Sequence, residues 1–258
     1  MSIRPKKSLG QHFLTDHNIA QKIIAALPGN PAKLMEIGPG TGILTRYILD
    51  LPGIDPVFVE TDQEAVEYLL DNLSLDADRI IHEDFLKTNL HNIVQGPYQI
   101  VGNLPYNISS QIFFRMLEDR SRMRSAVVMI QKEVAERIRS GPGNKIYGIL
   151  SVLLQTWYDI EYLFTVSEGV FNPPPKVKSA VIRLVRNNTE EIDCNPDFYF
   201  KVVKAGFNQR RKTLRNALKP LLSGIDVTGI EDLLSKRAEQ LSVEEFIRIT
   251  SVLKGNGI

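Results

Sequence analysis

The chain has 258 residues, of which 43% are hydrophobic and 24% charged, the balance of an ordinary globular protein, and this excludes intrinsic disorder. Its length suits one large domain, or a large one with a small companion. The single cysteine, Cys194, excludes an intrachain disulfide and a cysteine-paired zinc site, and favours a reducing compartment.

The leader from Met1 to Leu14 carries Arg4, Lys6 and Lys7 without an apolar stretch, so it does not read as a secretory signal. No run approaches the roughly 18 apolar residues of a membrane span, and the cytoplasm is the expected location. Asp16 is placed to cap a helix on which Ile19, Ile23, Ile24 and Leu27 recur at helical spacing. Pro28-Gly29-Asn30-Pro31 breaks it. Lys33 to Ile37 then reads as a buried strand, and Gly38-Pro39-Gly40-Thr41-Gly42 turns the chain into a helix through Leu51. Further strands are expected at 57–60, 79–83, 98–101 and 126–130, with a helix at 63–73 and one on each side of the last strand. Beyond Lys145 the pattern predicts a helix at 149–154, strands at 160–166 and 178–185, and a polar linker from Asn187 to Pro196. Helices are expected at 198–207, 210–222, 228–236 and 243–253, without strand signals among them.

Strands alternating with helices predict an α/β fold with a parallel sheet covered on both faces. The strandless tail predicts a small all-helical domain. The expected division is 1–187 and 188–258. Ligands of such sheets lie beyond the carboxyl ends of the strands, and Gly38, Glu60, Asp84 and Asn103 all fall at such ends.

Gly38, Gly40 and Gly42 allow close backbone approach and begin a helix, whose N-terminus favours negative charge. Their GxGxG spacing differs from the GxGxxG of a pyrophosphate fingerprint, and Glu36 two residues earlier suits a ligand with a positive amino group. Glu60 is placed to accept from both ribose hydroxyls, and Asp84 from an adenine amino group. Together they outline S-adenosylmethionine, although nicotinamide enzymes also use a glycine turn and an acid, and either carboxylate alone is also an ordinary cap or turn residue.

Asn103-Leu104-Pro105-Tyr106 combines an amide, a backbone-fixing proline and an aromatic ring; turn chemistry alone is the competing explanation. The Asn103 side chain and the Leu104 carbonyl are expected to hold the hydrogens of an adenine amine and stabilise the charge that develops on nitrogen. Tyr106 is expected to stack on the flipped base, and Phe171 on its other face, unless Phe171 is a hydrophobic plug before Pro173-Pro174-Pro175. The four histidines share no metal-ligand spacing, and no metal is expected.

The net charge of +1 conceals segregation. Residues 50–92 hold eleven acids against Arg79 and Lys87, whereas 201–219 hold seven basic residues and no acid. Lys176, Lys178, Arg183 and Arg186 add a second basic group. Such segregation fits a face built for a polyanion, with solvated helix faces as the alternative. Lys176, Lys178, Arg210, Arg211, Lys212 and Arg215 are the expected contacts of that polyanion.

An ordered set of motifs resembles the ribosomal RNA adenine dimethyltransferase family, most closely its bacterial small-subunit branch. The motifs are GQHFL at 10–14, EIGPGTG at 36–42, Glu60, Asp84-Phe85, NLPYNIS at 103–109, QKEVAERI at 131–138, FNPPPKVKSAVIRL at 171–184 and FNQRRKTLRNAL at 207–218. The resemblance implies a seven-stranded Rossmann-like, S-adenosylmethionine-dependent methyltransferase with a helical C-terminal domain. It implies that Gly38, Gly40, Glu60, Asp84 and Asn103 contact the methyl donor, with His12 and Leu14 closing over it; most members carry asparagine where this chain has His12. The implied substrate is two adjacent adenines in the 3′-terminal hairpin loop of 16S rRNA, each dimethylated at N6 in an assembling small subunit, by an enzyme expected to be monomeric. The alternatives are the macrolide-resistance type acting on 23S rRNA, a DNA adenine methyltransferase, whose (D/N)PPY motif Leu104 departs from, and a noncatalytic assembly factor.

Overall fold

The computed structural model describes residues 3–29 and 32–255; the predicted break at Asn30 and Pro31 lies outside them. A two-residue strand, β1 (Phe13–Leu14), precedes helix α1 (His17–Ala25), and the Asp16 side chain accepts hydrogen bonds from the Asn18 and Ile19 N–H groups. That cap satisfies donors that a helix start leaves orphaned, and α1 buries Ala20, Ile23 and Ile24 on one face. The following elements are β2 (Lys33–Ile37), α2 (Ile43–Leu49), β3 (Asp55–Glu60), α3 (Gln63–Asn72), β4 (Ile80–His82), α4 (Leu90–Ile93) and β5 (Tyr98–Asn103). Then come α5 (Ser109–Glu118), β6 (Met123–Gln131), α6 (Lys132–Arg139), α7 (Ile149–Trp157), β7 (Tyr158–Val166), β8 (Phe171–Asn172) and β9 (Ser179–Arg186). The tail contains α8 (Pro196–Asn208), α9 (Leu214–Ala217), α10 (Glu231–Ser235) and α11 (Val243–Gly255).

Seven strands form one sheet in the order β4-β3-β2-β5-β6-β9-β7. The first five run parallel, and β9 runs antiparallel to β6. The architecture is Rossmann-like. Its central strands are buried on both faces, as their near-continuous apolar sequence requires, with Leu34, Met35, Phe58, Ile100 and Val127 losing nearly all contact with water. Each such side chain contributes roughly 1.5–3 kcal/mol of burial.

The chain divides into two compact units: Met1–Ala135 with Asp159–Arg186, and Glu136–Tyr158 with Asn187–Ile258. Residues 136–158 therefore cluster with the helical tail, a different partition from a single cut after residue 187. The reason is aromatic packing. Trp157 of α7 meets Tyr199 of α8 edge-on at 6.1 Å, and Phe207 of α8 stacks on Phe246 of α11 at 5.8 Å. The predicted helix at 210–222 is not continuous: Gln209–Thr213 is a turn, followed by the short α9 and a single turn of 3₁₀ helix at Lys219–Leu221.

Candidate active site

The carboxyl ends of β2, β3 and β5 border an open cavity of about 710 Å³, counting space continuous with solvent. Gly38, Gly40, Glu60, Asp84, Asn103 and Tyr106 line it, together with His12 from the leader. A smaller adjoining space is lined by Leu14, Glu36, Gly38, Thr41 and Asn103. The strand-end groups that are far apart in sequence thus meet in one place.

The backbone explains how. At the end of β5, a Cβ on Gly102 would lie 2.7 Å from the Ile37 carbonyl oxygen, so only glycine lets β5 pass this close to β2 and deliver Asn103 beside Gly38. Gly38 itself adopts φ of 67°, and a Cβ there would meet no atom within 4 Å. The turn therefore leaves open space against bare backbone, the shape needed by a ligand that approaches the main chain.

Glu60 is buried, and its two carboxylate oxygens accept three backbone N–H bonds, from Gly40 at 3.0 Å, Thr61 at 2.8 Å and Asp62 at 2.9 Å. Burial raises its pKa, and those three bonds oppose the rise. They also occupy most of the acceptor capacity that the sequence suggested for two ribose hydroxyls; Oε2, with one partner, retains room for another donor. Glu36 is also buried but, among the described residues, has a single hydrogen bond, from the Thr45 hydroxyl at 2.7 Å. Burial pushes its pKa up to about 8, partly offset by Thr45 and reinforced by the charge of Glu60. Asp84 accepts from the Leu86 N–H at 3.0 Å and faces Lys87 at 3.7 Å.

Asn103 is oriented by the leader. Its amide nitrogen donates to the His12 carbonyl at 2.8 Å, and Oδ1 has no donor among the described residues. Leu104 spends its N–H on the Met129 carbonyl, whereas its own carbonyl accepts no bond among the described residues. Two unspent carbonyl acceptors therefore stand next to each other in the chain. Tyr106 follows, with its hydroxyl bonded to that of Ser179 and its ring stacked on His12 at 5.3 Å. Burial raises the Tyr106 pKa, and the Ser179 bond opposes this.

The leader is more than the basic entry segment read from sequence. Leu14 and Phe13 of β1 pair antiparallel with Phe171 and Asn172 of β8, and His12 Nδ1 donates to the Pro173 carbonyl at 2.8 Å. Lys6 and Gln11 both reach Asp62, at 2.6 and 2.8 Å. Burial alone would raise the Asp62 pKa, but these two bonds prevail and lower it. No local signal marked this, because Lys6 and Asp62 are separated by 56 residues.

Phe171 lies elsewhere. It is 4% exposed, belongs to the core around Leu14 and Val166, and lines neither cavity. The hydrophobic-plug alternative describes this position, because pairing with β1 turns the ring into the core. Lys176 and Lys178 are exposed in the first unit, and Arg210, Arg211, Lys212 and Arg215 in the second. Arg183 of the second basic group pairs with Glu161. Arg210 donates to the Lys145 carbonyl at 2.6 Å, so part of its guanidinium holds a loop of its own unit. Gln11 and Phe85, quoted only as parts of motifs, also line the larger cavity, as do Thr61, Glu83 and Ile112, which the sequence did not single out.

The model of the family described as "Ribosomal RNA adenine dimethylase" matches residues 3–254. A ribosomal RNA small subunit methyltransferase A from Bacteroides thetaiotaomicron is 56% identical over 252 residues, covering 96% of this chain and 94% of that protein. Among solved structures, a dimethyladenosine transferase from Plasmodium falciparum superposes with a TM-score of 0.77 at 25% identity, covering 96% of this chain and 99% of the other. The 23S rRNA methyltransferase ErmE gives 0.65 at 25% identity, covering 92% and 99%. The cavity at the strand ends is thus set in a chain that belongs to the ribosomal RNA adenine dimethylase family.

Proposed function

We propose that this chain dimethylates N6 of two adjacent adenines in the 3′-terminal hairpin loop of 16S rRNA, with S-adenosylmethionine as methyl donor. The observation that carries this reading is the pair of unspent acceptors, Asn103 Oδ1 and the Leu104 carbonyl. An adenine amine attacks poorly because its lone pair is delocalised into the ring. Two acceptors on its hydrogens help localise that lone pair on nitrogen and stabilise the positive charge that appears as the N–C bond forms and the S–C bond of the donor breaks, after which the nitrogen loses a proton to solvent. The donor supplies an electrophilic methyl group on a sulfonium. No strong base is needed, and holding the amine in line accounts for much of the rate.

The residues fit such a donor. Glu36 and the open space at Gly38 suit an amino-acid tail, Gly40, Glu60 and Asp84 an adenosine, and His12 and Leu14 of the leader a cover over both. Tyr106 supplies a stacking surface for the flipped base, worth roughly 1–3 kcal/mol. Phe171 serves as a second aromatic only if β8 leaves β1. Lys176, Lys178, Arg210, Arg211, Lys212 and Arg215 are proposed to meet RNA phosphates. The enzyme acts as a monomer in the cytoplasm, on an assembling small subunit. Similarity to small-subunit methyltransferases favours this substrate over 23S rRNA.

Incubation with labelled methyl donor and small subunits lacking the modification tests the reading. Dimethyladenosine in 16S rRNA is expected, and its absence overturns it. Asn103→Ala is expected to lower kcat by about 10²–10³ while RNA binding persists. Equal loss of both would remove the amide from catalysis. Reversing Arg211 and Lys212 to glutamate is expected to weaken RNA binding and flatten its salt dependence. Unchanged affinity would take this cluster out of the interface.

A further inference from the structure

Tyr106 sits in the loop between β5 and α5, yet its ring is anchored to the sheet. Its hydroxyl bonds to that of Ser179, the first residue of β9, which is completely buried and paired with Gln131 of β6. The preceding residue of the same motif but one, Leu104, donates its N–H to Met129 of β6. The loop is therefore fastened to the β6–β9 ladder at two points, one by backbone and one by the far end of an aromatic side chain. The His12 imidazole rests on the Tyr106 ring with an interplanar angle of 29°, and is itself fixed by the Pro173 carbonyl.

The 5.3 Å between ring centroids is too short to admit a base between them, because two successive stacking contacts of about 3.5 Å need about 7 Å. One side of Tyr106 is thus backed by His12, and the other is the side left for a base. We propose that Ser179 is a positioning residue for methyl transfer, holding the Tyr106 hydroxyl so that the ring is a fixed platform before the target adenine arrives. This rests on the reading of Asn103–Tyr106 as the wall of the adenine pocket. Ser179 lines neither cavity. It acts by removing the freedom of the ring, and so keeps the base in line with the two acceptors of Asn103 and Leu104.

The test is the rate of methyl transfer at saturating small subunits and donor for the full chain and for Ser179→Ala, Tyr106→Phe and the double variant. Each single variant is expected to lose about tenfold in kcat, the size of one hydrogen bond. The double variant is expected to lose no more than either, because both substitutions delete the same bond. Donor affinity is expected to match the parent, and melting temperature to fall modestly in each single variant, because each leaves one hydroxyl of a buried pair without its partner. A parental kcat in either single variant, multiplied losses in the double variant, or a loss confined to the RNA KM overturns the proposal. Tyr106→Phe leaves the sheet untouched, so it decides the matter even if Ser179→Ala does not fold. If the parent chain itself methylates no adenine, the underlying reading fails instead.

Discussion

The ends of β2 and β3 each carry a buried glutamate, and the two are solvated in different ways. Glu60 replaces lost water with three backbone N–H donors, from Gly40, Thr61 and Asp62. Among the described residues, Glu36 receives only the Thr45 hydroxyl. The first carboxylate is a structural hub that fixes the glycine turn against the start of α3. The second has one hydroxyl donor among the described residues, and burial pushes its pKa up to about 8. In the proposed reading, a cationic amino group supplies the missing partner. Burial alone therefore does not say whether an acid is structural; the donors around it do.

The same substitution at the two positions is expected to act in opposite directions. The largest effect belongs to Glu36→Gln. The folded carboxyl titrates near 8 and its unfolded reference near 4.5, so the parent's stability contribution is complete below about pH 4.5 and is lost as pH rises through 8. The full shift corresponds to at most about 5 kcal/mol. A glutamine keeps the Thr45 bond and removes the charge, so its melting temperature is expected to exceed the parent's at pH 8 and to converge with it near pH 4.5. A variant less stable than the parent at pH 8 would mean that ionised Glu36 is already compensated. Glu60→Gln is expected to lose about 2 kcal/mol at neutral pH, because the amide nitrogen must face a backbone N–H and leaves a buried donor unsatisfied. Denaturation in urea measures this, and unaltered stability would break the contrast between the two acids.

Much of the fold was legible because its signals are local. Seven apolar runs became the seven strands, and Asp16 caps α1 as its position before Ile19 and Ile23 suggested. Gly38, Glu60, Asp84 and Asn103 border one cavity, since a parallel sheet brings its strand ends to one edge. The leader's attachment was not legible. Its two-residue pairing with β8 and its ties to Asp62 join segments whose sequences carry no mutual signal. Phe171 illustrates the same limit: an aromatic before a proline-rich loop serves a pocket or a core equally well until its strand partner is known. Ser179 was invisible for a similar reason, being an ordinary strand serine until Tyr106 lands on it.

The amino-acid sequence by itself determined the alternation of strands and helices, the polar residues at the strand ends and the motifs shared with the rRNA adenine dimethylases. These depend on hydrophobic periodicity and turn chemistry, which act over a few residues. The tertiary structure alone decided which lone pairs remain unspent. Asn103 offers its oxygen because the His12 carbonyl takes its nitrogen, Glu60 is largely committed because three N–H groups converge on it, and Glu36 is not. A hydrogen bond is a matter of ångströms between groups often far apart in the chain, and only the folded backbone fixes those distances.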